Sequence, residues 1–189
     1  MPTPTALTQV QIDKIVVDEG IVYINWGVTL KEAKLGPVRG GSEFTATASY
    51  RDIDFDGKRG KTLGLKVIDE LNAMLKVNLL SHDQQQLAVL LPFVDVGSTP
   101  FDITSAEQAL VPSTKYLTNV VMFCRTLDGK YKKITLFNAL NEAPLVISAK
   151  PKSENELALE FHGHWDAVTT TNDLFKIEEI ATLPTTGIV

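Results

Sequence analysis

The chain of 189 residues has one cysteine, Cys124, and only three histidines. A single cysteine excludes an intrachain disulfide. Cys124 ends the apolar run Val120–Cys124 and reads as a small core hydrophobe, not a reactive thiol. No apolar run approaches the ~20 residues of a membrane-spanning helix. The opening Met1-Pro2-Thr3-Pro4-Thr5 has neither a basic stretch nor an apolar core, so no export signal is expected. Basic residues are outnumbered, 18 to 23, and the formal charge is −5. Such a surface is not built to grip phosphates, although nucleic acid could pass without being held. No serine sits in a Gly-x-Ser-x-Gly turn, and Cys124 has no histidine nearby in sequence. The expectation is therefore no enzyme, no cofactor and no catalytic residue.

What is present is a 44% hydrophobic chain with strand-like patterning nearly throughout. Its length suits one domain over residues 1–189, with loose arms at about 1–9 and 181–189. Ile21–Val28 alternates as a strand. Leu63, Leu65 and Val67 mark another, and Leu75, Val77 and Leu79 a third. Ser81-His82-Asp83-Gln84 has the form of a capping box, opening a helix to about Leu91 with Leu87, Leu90 and Leu91 on its buried stripe. A connector from Phe93 to Lys115 holds at most a short helix near Ser105–Leu110. Tyr116–Arg125 and Tyr131–Phe137 form a hairpin across Asp128-Gly129. Leu145–Lys150 and Glu156–Trp165 read as a second hairpin, and Leu174–Ile180 as a last strand. About eight strands and one helix predict a mainly β fold. The form expected is a β-sandwich or partly closed barrel with the helix on its side.

Three motifs invite a chemical reading. Gly57–Thr62 ends like a phosphate-binding loop, but Phe55 stands where the first glycine belongs, and strand rather than helix follows. Asp52, Asp54 and Asp56 copy the first half of a calcium loop, whose closing glutamate position is Leu63. His162, His164 and Asp166 would share one face of a strand, with no ligand from a second strand in view. We assign no metal to any of them. The face opposite the histidines is read as Leu157, Leu159, Phe161 and Trp165.

The most informative stretch runs from Gly36 to Gly64. A Gly-rich turn opens it, a strongly β-patterned run follows, and a charged tip at residues 56–60 returns the chain. Phe44, Ala46, Ala48 and Tyr50 share one face; Thr45, Thr47, Ser49 and Arg51 share the other. The parity then slips to Ile53 and Phe55, which predicts a bulge near Arg51-Asp52. Such a long hairpin exceeds what a small β domain needs, so it should reach a neighbour. Its contact residues would be Arg51, Asp52, Asp54, Asp56, Lys58, Arg59 and Lys61, with Ile53 and Phe55 pinned to the domain against Leu63 and Leu65.

Gly40-Gly41-Ser42-x-Phe44 leading to Arg51-Asp52-Ile53-x-x-Asp56-Gly57 resembles the major tail-tube proteins of long-tailed bacteriophages. A second block is similar: Tyr131 to Leu140 with its Asn138-Ala139-Leu140, then Pro144–Ile147, then Glu156 to Asp166 with Phe161, His164, Trp165 and Asp166. The two blocks cover about two thirds of the chain, in order. The resemblance implies a tube subunit of the virion tail, assembled in host cytoplasm as hexameric rings that stack around a tape-measure protein. Tail-tip and terminator proteins would cap the tube, and DNA would pass through without tight binding. Thr45, Thr47, Ser49 and Arg51 would then face the lumen. A related ring-forming piece (terminator, baseplate hub or secretion tube) and a lipocalin-type barrel are the alternatives. Rings or filaments in solution favour the former class; a monomer that binds apolar ligands favours the latter.

Overall fold

The computed structural model describes residues 8–17, 20–81, 84–96, 103–105, 110–147, 154–166 and 173–184. A short helix, α1 (Gln9–Asp13), comes first, followed by β1 (Ile21–Ile24), β2 (Ala33–Lys34), β3 (Val38–Asp52) and β4 (Lys66–Leu79). Helix α2 (Gln84–Leu90) precedes β5 (Val94–Val96), β6 (Ile103–Ser105), β7 (Leu117–Arg125) and β8 (Tyr131–Asn141). β9 (Leu157–His162) and β10 (Phe175–Ile180) complete the order. The fold is mainly β, as the patterning predicts. Eight strands form one antiparallel sheet in the order β2-β1-β7-β8-β9-β4-β3, with β10 also on β8; β5 and β6 pair apart. The sheet is open, and β2 and β3 are the ends of its path.

β8 organises this arrangement. One side pairs with β7 through the Asp128-Gly129 hairpin. The other side takes β10 along Tyr131–Leu136 and then β9 at Leu140 and Asn141. Asp128 Oδ1 accepts from Thr126 Oγ1 at 2.6 Å and from the Lys130 amide at 3.2 Å, while Gly129 supplies φ 81°. Those bonds fix the turn and hold the Asp128 carboxyl down to about 2.

One core cluster joins Val22 and Ile24 of β1 to Leu75, Val77 and Leu79 of β4 and to Leu157, Leu159 and Phe161 of β9. Strands near both ends of the sheet share it, so the sheet curves over a common interior. Leu87, Leu90 and Leu91 of the α2 region enter the same core at 4%, 3% and 1% exposure, the stripe expected from their spacing. A smaller cluster of Tyr23, Val121 and Phe123 lies on the other face of β1 and β7. Trp26 joins that second cluster, 4.7 Å from Tyr23 and 4.8 Å from Phe123, not the face of Val22 and Ile24. Asn25 adopts φ 51°, which ends the strand alternation just before it.

Of the strand expected at Leu63–Val67, Leu63–Leu65 are loop, and Lys66 and Val67 open a single strand that runs on through the one expected at Leu75–Leu79. The partner of β9 is not residues 145–150: Leu145–Ile147 carry no strand, residues 148–150 lie outside the described set, and β9 pairs with β4 and β8. Ser105 belongs to a strand, and residues 106–109 of the expected helix lie outside the described residues. Residues 8 and 9, expected in a loose arm, begin α1, where Thr8 and Gln11 form a capping box. Of the expected capping box, Gln84 begins α2 and Ser81 precedes it, while His82 and Asp83 between them, like residues 1–7 and 185–189, lie outside the described residues. Among the described residues, no helix is long and apolar enough to cross a membrane.

Candidate functional site

The hairpin β3–β4 runs beyond the rest of the sheet. β9 pairs with β4 from Met74 to Leu79, and one further bond joins the Gly163 amide to the Ala73 carbonyl at 3.0 Å. From Asn72 outward, among the described residues, β4 has only β3 as a partner. The outer arm, Thr47–Asp52 with Lys66–Asn72, is thus a two-stranded ribbon ~20 Å long at ~3.3 Å per residue. It leaves two backbone edges open, the outer side of β3 and the side of β4 that β9 has left.

Register sorts its side chains. Phe44↔Leu75, Ala46↔Ala73, Ala48↔Leu71 and Tyr50↔Ile68 lie on the core face. At the root this face is filled: Leu75 and Ala73 are 1% exposed, and the Phe44 ring stands 5.2 Å from Phe175. Further out the same face is bare, with Tyr50 and Ile68 each 58% exposed. Lys66 lies over the Tyr50 ring at 5.2 Å. The expected bulge is present but sits on the opposite strand. Pairing passes from Ser49↔Glu70 to Tyr50↔Ile68, so Asp69 is the extra residue. Arg51 Nε donates to both Asp69 oxygens at 3.2 Å, which ties the bulge across the ribbon.

The opposite face carries Thr45, Thr47, Ser49 and Arg51, paired with Met74, Asn72, Glu70 and Val67. It continues across β4 and β9, where Lys76 Nζ meets Glu160 Oε1 at 2.8 Å. That hydrogen bond raises the Lys76 ammonium and lowers the Glu160 carboxyl from their usual values. Arg51 and Lys76 are thereby matched by Asp69 and Glu160. Glu43 and Glu70 make no ion pair among the described residues. The face is polar with a small acidic surplus.

The tip is longer than the short turn expected. The strands stop at Asp52 and Lys66, with one further bond from the Ile53 amide to the Leu65 carbonyl at 2.9 Å. Lys58 pairs with Asp54 within the loop; Asp56, Arg59 and Lys61 are exposed. Ile53, Phe55 and Leu63 are 40%, 51% and 101% exposed. They are not pinned to the domain as expected, and the tip presents apolar side chains ringed by charge.

Beside the open edge of β4 lies Trp165, 61% exposed. It borders a concavity of about 460 Å³ whose other wall is Ile68 to Asn72. Trp165 was expected on the buried face with Leu157, Leu159 and Phe161. Those three are 0–1% exposed, but β9 ends at His162 and the alternation does not extend to residue 165. His162, His164 and Asp166 therefore do not share a strand face. His164 Nδ1 lies 3.0 Å from its own chain's His162 carbonyl and 3.2 Å from that of Asn138, and its Nε2 is 3.4 Å from Glu142. Among the described residues, no group of three metal-ligating side chains is gathered. Sequence reasoning missed Trp165 and Asp69; the only signal for Asp69 is the polar interruption Asp69-Glu70 in an apolar alternation. No protein-family model matches the chain, and no curated protein matches it at a significant level.

Proposed function

We propose that the chain is a self-assembling structural subunit of a bacteriophage-type tail tube, built as stacked hexameric rings. The observation that carries this reading is the outer arm, a ribbon with two open edges and an apolar face left bare. An isolated two-stranded ribbon is marginal in water, and an exposed edge strand invites another chain. The two open edges lie on opposite sides of the same ribbon, so copies add head to tail, the β3 edge of one beside the β4 edge of the next. Head-to-tail interfaces close into rings or run on as filaments. The open sheet is then completed between copies into one continuous barrel. The six-fold count comes from the resemblance.

In that barrel the face of Thr45, Thr47, Ser49 and Arg51 lines the bore, and the apolar face of Tyr50 and Ile68 packs outward against neighbouring domains. Most charge on the bore face is internally matched, and the surplus carboxylates, Glu43 and Glu70, repel phosphates weakly. That suits a conduit through which DNA slides. The same conduit would first enclose a tape-measure protein. Negative-stain electron microscopy of concentrated protein tests the proposal. Rings or tubes are expected, and particles that stay monomeric across concentration and salt would refute it. The protein should also fail to shift duplex DNA below micromolar concentration at physiological salt.

A further inference from the structure

A groove of about 580 Å³ opens at the other end of the sheet, between α2, the turn joining β1 to β2, and residues 114–118. Leu30, Ala33, Val89, Tyr116 and Leu117 give it an apolar lining, and Lys31 stands among them. Two of these residues are presented to solvent unusually openly. Val89 is 48% exposed on the outer side of α2, and Leu30 is 95% exposed. Leu30 is also held at φ 62°. A bulky residue in the left-handed region is an outlier that folding alone does not favour, and such strain collects where a surface has work to do. Lys115, at the groove wall, is fixed by Asp95 at 2.6 Å and by the Val94 carbonyl at 2.6 Å, so the wall is ordered.

The arm tip is the complementary shape. Ile53, Phe55 and Leu63 project without cover, and Asp56 follows Phe55 directly. We infer that the arm tip of one copy seats in the α2 groove of another, with Phe55 as the anchor between Leu30 and Val89 and Asp56 meeting Lys31. A central aromatic in an apolar pocket with a charged rim is the usual anatomy of an interface anchor. The groove's volume falls within the ~300–1,000 Å³ range of small-ligand sites, enough for a few side chains. Tip and groove belong to the β3 and β2 ends of the sheet. A copy that inserts its tip therefore keeps its own groove for the next copy, and the contact propagates. This deepens the proposed function by naming the surface that receives the arm, and it rests on that reading only for the ring context.

The test mixes two single-substitution proteins, Phe55→Cys and Leu30→Cys, at assembly concentration under mild oxidation. Cys124 is buried and serves as internal background. The mixture should give a disulfide-linked heterodimer at least tenfold above either protein alone and above Phe55→Cys mixed with Ile177→Cys, whose site is 54% exposed on β10. Normal rings or tubes with no preference for Leu30 over Ile177 would overturn the groove assignment while leaving the tube reading standing. A second measurement does not depend on assembly. A synthetic peptide of residues 51–65 is titrated into unlabelled full-length protein, and the heat of binding is read. Saturable binding that Phe55→Asp in the peptide reduces at least tenfold is expected. No response up to millimolar peptide, or displacement-resistant uptake of an apolar dye by the groove, would overturn the inference whatever the protein assembles into.

Discussion

Two antiparallel hairpins in this chain are made of the same backbone chemistry and have opposite fates. In β7–β8, Val120 and Met122 enter the main core while Val121 and Phe123 enter the second cluster, so β7 is buried on both faces. In β3–β4, burial ends near Ala73, and the outer half shows both faces and both edges to solvent. The first hairpin is finished within the chain. The second carries an apolar face, a tied bulge and a tip that the described residues of the chain leave uncovered. Pairing alone therefore says little about what a hairpin is for; what its faces and edges touch says more.

The two hairpins should differ most under large-to-small substitutions. Phe161→Ala, at 0% exposure in the core, should destabilise the monomer by ~3–5 kcal/mol, whereas Tyr50→Ala in the arm should stay within ~0.5 kcal/mol. Denaturant unfolding of both variants checks this, and equal losses would show the arm to be part of the core. Gly163→Ala comes next. An added Cβ would meet Leu136 Cδ1 at 2.7 Å and the Leu174 carbonyl at 3.1 Å, which should cost ~1–3 kcal/mol. Thermal melting with an arm control such as Thr47→Ala separates the two regions.

Replacing residues 53–65 by Asn-Gly sharpens the contrast further. Asp52 and Lys66 already pair, so a two-residue turn fits between them. The monomer's melting temperature should barely move, while electron microscopy should find no long tubes. Arg51→Ala has a smaller expected effect. Its partner Asp69 and Arg51 itself are both substantially exposed, so the lost pair is worth only ~0.2–1 kcal/mol, and bulge dynamics seen by amide exchange should change more than stability. The smallest effect concerns pH in the finished hairpin. Asp128 has its folded value depressed from 3.8 to about 2, first by the Thr126 hydroxyl and then by Lys130. A depressed carboxyl stabilises above its unfolded value and loses that contribution as pH falls through the folded one. Wild type should therefore lose stability relative to Asp128→Asn between about pH 4 and pH 2, and parallel acid-unfolding curves would contradict the assignment.

Legibility in the sequence follows the same divide. The β7–β8 hairpin was readable because Asp128-Gly129 is a local turn signal between two apolar runs. The stripe of Leu87, Leu90 and Leu91 and the alternation of Leu75, Val77 and Leu79 were readable because burial imprints a period. β4 was read in two pieces because the bulge at Asp69 breaks that period where burial also stops. The partner of β9 was misread because its true neighbour, β4, lies about 80 residues earlier, and local spacing holds no record of such pairing. Trp165 was misplaced by extending a strand's parity past its end at His162. In the arm, the sorting of Thr45, Thr47, Ser49 and Arg51 onto one face was legible; the bare state of Ile53, Phe55 and Leu63 was not, since composition does not tell a covered apolar residue from an exposed one.

In the proposed assembly, the open edges of the outer arm are completed by other copies of the chain. Amide hydrogen exchange of residues 47–52 and 66–72, followed from dilute to concentrated protein, addresses it directly. Fast exchange is expected in dilute protein, as for a marginal ribbon, with protection rising at least a hundredfold as assemblies form and β7 and β8 slow throughout. Arm amides that exchange at one rate at every concentration, while particles assemble by some other surface, would contradict it.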